Sequence, residues 1–172
     1  MHHDLDAARL RAAGVRLGGK IVLEAGVWVD LEWGWLIEFG DHVTLSPRVM
    51  VFAHDAATRR ALGHTRIAPV TVGARTYVGA GAIILPGVSV GADAIIGAGS
   101  VVSRDIPDAT MAVGAPARVI CTANDYLERR SADIDRGLVL GDIREEWDLP
   151  DWATRRDDLA RRVRETGEAW VK

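Results

Sequence analysis

The run that decides the fold reads Pro69-Val-Thr-Val-Gly-Ala-Arg-Thr-Tyr-Val-Gly-Ala-Gly-Ala-Ile-Ile-Leu-Pro-Gly-Val-Ser-Val-Gly-Ala-Asp-Ala-Ile-Ile-Gly-Ala-Gly-Ser-Val-Val-Ser-Arg-Asp-Ile-Pro107. Every sixth residue from Val72 is aliphatic: Val72, Val78, Ile84, Val90, Ile96 and Val102. The next place reads Gly73, Gly79, Leu85, Gly91, Gly97 and Ser103, and the fifth place of each hexad is small or aliphatic: Thr76, Ala82, Val88, Ala94, Ser100 and Ile106. A helix cannot use this period, because residues six apart point in different directions on a 3.6-residue turn. A short strand plus a corner can. The strand-centre side chain and the small one before the corner then both point inward, and glycine is expected at the bend to permit a sharp backbone. Such a unit cannot bury its inner face alone and must stack on its neighbours.

Working outward, the period continues upstream with slips. Ile37, Val43 and Val49 form one register and Val15, Ile21 and Val27 an earlier one. The step from Val27 to Ile37 is off period, so the corner carrying Asp30-Leu-Glu-Trp33-Gly-Trp35 must bulge or extend. The step from Val49 to Val72 is also off period, and it contains the polar stretch from His54 to Arg66. That stretch predicts a loop extruded from the coil over residues 54–68, the kind of element on which scaffolds place function. The solenoid is expected over 15–120, behind an N-terminal helical cap in 1–14 built on Asp4 to Ala13. A helical tail is expected over 121–172. It holds one helix from Asn124, as cap, to Arg130, and a second from Asp151 to Thr166 with Trp152, Leu159 and Val163 on one face and Gly167 as its stop. Three of the six tryptophans (Trp147, Trp152, Trp170) lie in this tail, which is expected to cover an open solenoid edge or pack on a neighbouring subunit.

Composition agrees with narrow coils. Of 172 residues 48% are hydrophobic and 26% charged, yet only 6% are aromatic, with two Phe against 18 Gly. A net charge of -3 argues against nucleic-acid binding through a basic surface. The lone Cys121 cannot form an internal disulfide and, lying past the last hexad, is read as an incidental thiol. No run of about 18 apolar residues exists, and the first fifteen residues lack the basic start and apolar stretch of a signal peptide. A cytoplasmic protein without a membrane span is expected.

The run from Pro69 to Pro107, followed by Val113-Gly-Ala-Pro-Ala-Arg-Val-Ile120, resembles the hexapeptide-repeat acyltransferases, and within them the maltose, galactoside and surface-polysaccharide O-acetyltransferases. The resemblance covers about Val15 to Ile120. It implies an all-β fold, a left-handed parallel β-helix, assembled as a homotrimer with active sites at subunit interfaces. It further implies acetyl-coenzyme A as co-substrate, no metal, and a histidine base at the start of the extruded loop. His54 occupies that place. A neutral imidazole suits the task, because a hydroxyl attacks a thioester poorly unless its proton is removed. For orienting the base or holding the acceptor, the resemblance points to Asp55 beside it, Asp30 in the bulged corner, Trp33 and Trp35 as walls, and His64 in the same loop. His42 is read as structural. For the coenzyme it points to Tyr77, Gly79, Ala80 and Ala98 along a slot, and to Ser103, Arg104 and Arg118 near its phosphates, where a guanidinium fork pairs well with phosphate oxygens.

Other classes are weighed beside this one. The acceptor could be an antibiotic or an amino acid. A metal-dependent hydratase of the carbonic-anhydrase type would need three converging histidines, and His42, His54 and His64 are not spaced like that family's ligands. A noncatalytic scaffold would leave the loop and the arginines unexplained.

Overall fold

A computed structural model of the chain describes residues 5–140 and 150–171, organised as two units, 1–124 and 125–172. In the first, the chain winds through three parallel sheets in strict rotation. The first face holds β1 (Arg16–Leu17), β4 (Ile37–Phe39), β9 (Val70–Val72) and β12 (Ser89–Val90). The second holds β2 (Ile21–Leu23), β5 (Val43–Leu45), β10 (Tyr77–Val78), β13 (Ile95–Ile96) and β15 (Thr110–Val113). The third holds β3 (Trp28–Val29), β6 (Met50–Val51), β11 (Ile83–Ile84) and β14 (Val101–Val102). In the regular coils the paired residues are eighteen apart, as in Thr71 with Ser89, Tyr77 with Ile95 and Ile83 with Val101. Three hexads therefore make one turn.

The inward registers match the hexad reading. Val72, Val78, Ile84, Val90, Ile96 and Val102 are all buried, and so are Thr76, Ala82, Val88, Ala94, Ser100 and Ile106. Upstream the phase shifts. Ile37 aligns with Val70, whereas Phe39, Leu45 and Val51 align with Val72, Val78 and Ile84, so the early coils fill both inward positions with large side chains. Fully buried Phe39 is the largest of these.

The glycines serve a different purpose from the one expected. Left-handed backbone falls two places later in the hexad, at Arg75, Gly81, Gly87, Asp93 and Gly99 (φ 60, 68, 84, 55 and 68). Gly73 and its equivalents are instead constrained by space: a Cβ at Gly73 would lie 2.3 Å from the Ala92 nitrogen of the next coil, one at Gly40 2.4 Å from Ala74 N, and one at Gly79 2.5 Å from Ala98 N. Successive coils touch backbone to backbone at these corners. The corner between the first and second faces is also stitched by carboxylates. Asp41 accepts from Lys20 N–H at 2.7 Å, and Arg75 grips Asp93 of the following coil. The Lys20 amide holds Asp41 below the ordinary carboxylate range, and the Arg75 guanidinium does the same to Asp93. Their stabilising contribution is thus present above the normal carboxylate pKa and fades as pH falls through the lowered values.

Both ends of the coil depart from expectation in detail. The cap helix α1 spans Ala7–Ala12, with Asp6 as its N-cap accepting from Arg9 N–H at 2.8 Å, and buries Leu10. Asp4, at which the cap was expected to begin, lies outside the described residues. At the other end β16 (Arg118–Thr122) turns back antiparallel onto β15, which carries the first unit past Ile120 to Asn124. α3 runs Ala123–Arg136, most of it in the second unit, so Asn124 sits within its first turn and is not its cap. The extra length is supported by Asp133, which pairs with both Arg130 and Arg136. α4 runs Trp152–Thr166 between Asp151 and a left-handed Gly167, and β17 (Leu138–Leu140) and β18 (Ala169–Val171) add an unanticipated parallel pair. Trp147 lies outside the described residues.

Gly73→Ala is expected to cost about 3 kcal/mol or more, because the backbone it strikes cannot move without unstacking a coil. Gly81→Ala, where no atom stands within 4 Å of the added carbon, should cost only about 1–2 kcal/mol of left-handed backbone strain. Denaturant unfolding of the two variants compares them. Equal losses would refute the spacing argument.

Candidate active site

Two insertions interrupt the eighteen-residue turn, and both leave from the corner between the third and first faces. After Asp30 the chain makes a short 3₁₀ helix, Leu31–Leu36, and pairs across this coil rise to twenty-two apart, as in Ile21 with Val43. After Ala53 it leaves as a hairpin of β7 (His54–Asp55) and β8 (Arg66–Ile67), and pairs rise to thirty-three apart, as in Met50 with Ile83. The expected loop is therefore an ordered hairpin. It is topped by one helical turn, α2 (Arg59–Leu62), and closed by Ala68 N–H donating to Ala53 O at 2.9 Å.

The insertions bring Asp30 and His54 together. His54 Nδ1 is hydrogen-bonded to Asp30 Oδ2, which also accepts from Ala53 N–H at 3.2 Å. Asp30 is 2% exposed. A buried carboxylate requires such partners, and as an acceptor it holds the proton on Nδ1 and leaves the Nε2 lone pair free. His54 keeps 29% of its side chain exposed. Trp33 stands beside the imidazole, ring centroids 6.5 Å apart, and Trp35 beside Trp33 at 6.2 Å, more than half exposed.

His54 lies between two cavities. One, of about 610 Å³, is lined by Leu5, Arg9, Trp28, Asp30, Glu32 and His54, among others. The other, of about 540 Å³, is lined by Phe52, His54, Asp55, Arg66, Pro86 and Ser103, among others. Trp28 packs on Phe52 at 4.6 Å, so one aromatic pair walls both.

Other sequence-selected residues stand apart. Asp55 turns away from the imidazole and accepts from Ala57 N–H at 2.8 Å, so the carboxylate that supports the ring is Asp30. His64 sits at the far end of the hairpin, its Nδ1 2.5 Å from Leu62 O. His42 pairs with Asp41 at 2.9 Å. The three histidines thus have three different partners, and among the described residues no His, Cys, Asp or Glu side chains converge as a metal-ligand set. Of the expected coenzyme residues, Ser103 lines the second cavity and Arg104 follows it. Tyr77, Gly79, Ala80 and Ala98 belong to the strands and corners of the second face, and Arg118 opens β16.

Sequence reasoning missed Arg66. Its Nη1 donates to Pro86 O of the coil below at 2.9 Å, and a Cβ at Gly87 would stand 2.7 Å from its Nη2. The guanidinium therefore latches the hairpin, and with it His54, to the coil. The polar stretch signalled a loop, but only strand pairing reveals that Arg66 faces Asp55 in the hairpin. Also missed were the outward columns. Trp28, Met50, Ile83 and Val101 align on the third face, and Thr44, Tyr77, Ile95 and Met111 on the second, both largely apolar. On the first face the matching column is polar: Arg16, Glu38, Thr71 and Ser89. An eighteen-residue reading of the residue before each inward one reveals only the regular part of these columns, Ile83 with Val101, Tyr77 with Ile95 and Thr71 with Ser89.

Fold and site together define a hexapeptide-repeat solenoid whose only long insertion among the described coils begins at a histidine held by a buried aspartate. The pattern of the bacterial transferase hexapeptide family, six repeats, matches residues 69–104. Protein CapG of Staphylococcus aureus is 34% identical over 131 residues, which cover 73% of this chain and 76% of that protein. The chain belongs to the bacterial hexapeptide transferase family. Nodulation protein L of Rhizobium meliloti (strain 1021) is 45% identical over 86 residues, 48% of this chain and 47% of that protein, so the chain spans about half of that relative's length. A galactoside acetyltransferase solved in complex with coenzyme A is 25% identical, with a TM-score of 0.57 over 74% of this chain and 76% of that one.

Asp30→Ala leaves the buried Ala53 N–H without its acceptor and should cost about 1–3 kcal/mol in chemical denaturation, whereas Asp30→Asn, which keeps an acceptor oxygen, should cost less. Arg66→Ala should speed amide exchange across residues 54–67 while leaving the regular coils protected. Unchanged exchange there would remove the latch.

Proposed function

We propose that the chain is an acetyl-coenzyme A-dependent O-acetyltransferase that acetylates a sugar hydroxyl. The observation that carries this reading is the His54–Asp30 pair, set between two cavities at the root of the hairpin. Asp30 fixes the tautomer, and His54 Nε2 takes the acceptor hydroxyl proton as its oxygen attacks the thioester carbonyl. The carbon–sulfur bond breaks, and the imidazolium returns that proton to the departing thiolate. No covalent enzyme intermediate is needed. The cavity containing Ser103 suits the thioester, and the one containing Trp28 and Glu32 suits the acceptor. Support comes from the likeness to the galactoside acetyltransferase solved in complex with coenzyme A.

The coil is read as left-handed and the functional unit as a homotrimer. The two apolar outward columns support the trimer: the second face of one copy can meet the third face of the next along Met50, Ile83 and Val101, a head-to-tail contact that closes into a ring. That contact would also bring Tyr77, Gly79, Ala80 and Ala98 of one copy toward the His54 corner of its neighbour. Arg104 and Arg118 are assigned to the coenzyme's phosphates. A cytoplasmic setting fits the coenzyme requirement and the single thiol. Among the described residues no helix is long and apolar enough to cross a membrane.

His54→Ala should lower kcat by about 10²–10⁴ while calorimetry finds coenzyme binding intact. Substantial turnover in that variant would sink the assignment of the base. The pair Arg104→Ala and Arg118→Ala should weaken coenzyme binding more than it slows the chemical step. Ile83→Glu should shift the mass in light scattering from trimer to monomer, and a persistent trimer would move the interface elsewhere.

A further inference from the structure

We infer that the cavity beside Asp30 is a pyranose subsite whose floor is the indole of Trp28, so that this tryptophan, rather than Trp33 or Trp35, selects the acceptor. The inference rests on the acetyltransferase reading and specifies what its acceptor site recognises. Trp28 is 43% exposed although it lies in a strand, and Phe52 backs it at 4.6 Å and a 38° tilt. One face of the indole is therefore supported and the rest is open. Neither Trp33 nor Trp35 lines this cavity.

The remaining lining sets the chemistry of the ligand. The walls combine apolar Leu5, Val27 and Leu31 with Glu32, Arg9 and the His54–Asp30 pair. A ligand that fits must carry a flat apolar patch for the indole and hydroxyls around its edge for the carboxylate and the imidazole. A pyranose ring has that form, with axial C–H bonds on one face and equatorial hydroxyls at the rim. The volume of about 610 Å³ falls within the range of small-molecule sites and leaves room for a second sugar unit. A small amino acid such as serine would leave the indole face wet and most of the cavity unfilled. Asp30 is two residues beyond Trp28 and His54 two beyond Phe52, on adjacent coils. The stacking platform and the proton-transfer pair thus lie on the same two coils.

The test uses the full-length chain with methyl α-glucopyranoside, methyl β-galactopyranoside and methyl N-acetyl-β-glucosaminide, with L-serine as the contrasting acceptor. Thiol release and saturation-transfer difference NMR are the readouts. In Trp28→Leu, which keeps an apolar side chain but no aromatic face, KM for the preferred glycoside should rise about tenfold or more. In the same variant kcat and the KM for acetyl-coenzyme A should stay within about twofold of the starting protein. Trp28→Phe should restore most of the affinity. Saturation should reach the ring C–H protons of the glycoside with the unmodified chain and with Trp28→Phe, and should be lost with Trp28→Leu, whether or not turnover occurs. An unchanged glycoside KM and an unchanged NMR signal in Trp28→Leu would overturn the subsite while leaving the acetyltransferase reading intact. A lower KM for L-serine than for any glycoside would also overturn it. Thiol release with none of the acceptors, alongside a Trp28-dependent NMR signal, would instead count against the transferase chemistry and keep the sugar site.

Discussion

The structure depends on one constraint, the contact of each coil's backbone with the next at the corners. Where a Cβ would lie 2.3–2.5 Å from a neighbouring main-chain nitrogen, only glycine fits, and it recurs at Gly18, Gly40, Gly73 and Gly91 down the corner between the first and second faces. At the next corner the same place holds Gly79, limited by Ala98 N, and Gly97, limited by the Val113 side chain, but Glu24 and Ser46 in the early coils. At the third corner that place is held by Asp30, Phe52, Leu85 and Ser103. The corner between the first and second faces is closed by backbone contact in every coil, and the third carries a side chain in every coil. The site stands at the corner that has room for it.

That asymmetry was already present in the hexad register, where Leu85 and Ser103 are the two exceptions among the glycines between residues 73 and 103. The fold was legible because one side chain per hexad has to enter a narrow interior, which imposes a rigid period on the chain. The proton-transfer pair was only partly legible. His54 announced itself by its place at the start of the off-period stretch, but its partner did not. Asp55 is adjacent in sequence, yet it ends β7 and accepts from its own turn at Ala57. Asp30 is twenty-four residues away and reaches the ring because the 3₁₀ insertion follows it. Only a count across strands, which needs the register of β3 against β6, puts the two together.

The glycine rationale shows a similar limit. Composition and period placed glycines at corners correctly, but conformational freedom and lack of space are different reasons for the same residue. The left-handed positions accept Arg75 and Asp93, which turn the strain to use by pairing across coils. The space-limited positions accept nothing larger than hydrogen. A sequence records which residue is present, and only the neighbouring coil explains why.

Both departures from the eighteen-residue turn leave from the same open corner, and each places a functional group at its root: Asp30 precedes the first, and His54 begins the second. A repeat that must stack cannot absorb extra residues inside a strand, since an added residue would turn inward side chains out. Insertions can enter only where the chain already leaves the stack. Because that corner is also the one with space for side chains, the residues flanking the insertions meet each other across adjacent coils. The early coils then act as a ruler. They hold Trp28 and Phe52 two residues ahead of Asp30 and His54, so aromatic wall and proton-transfer pair inherit their spacing from the coil itself.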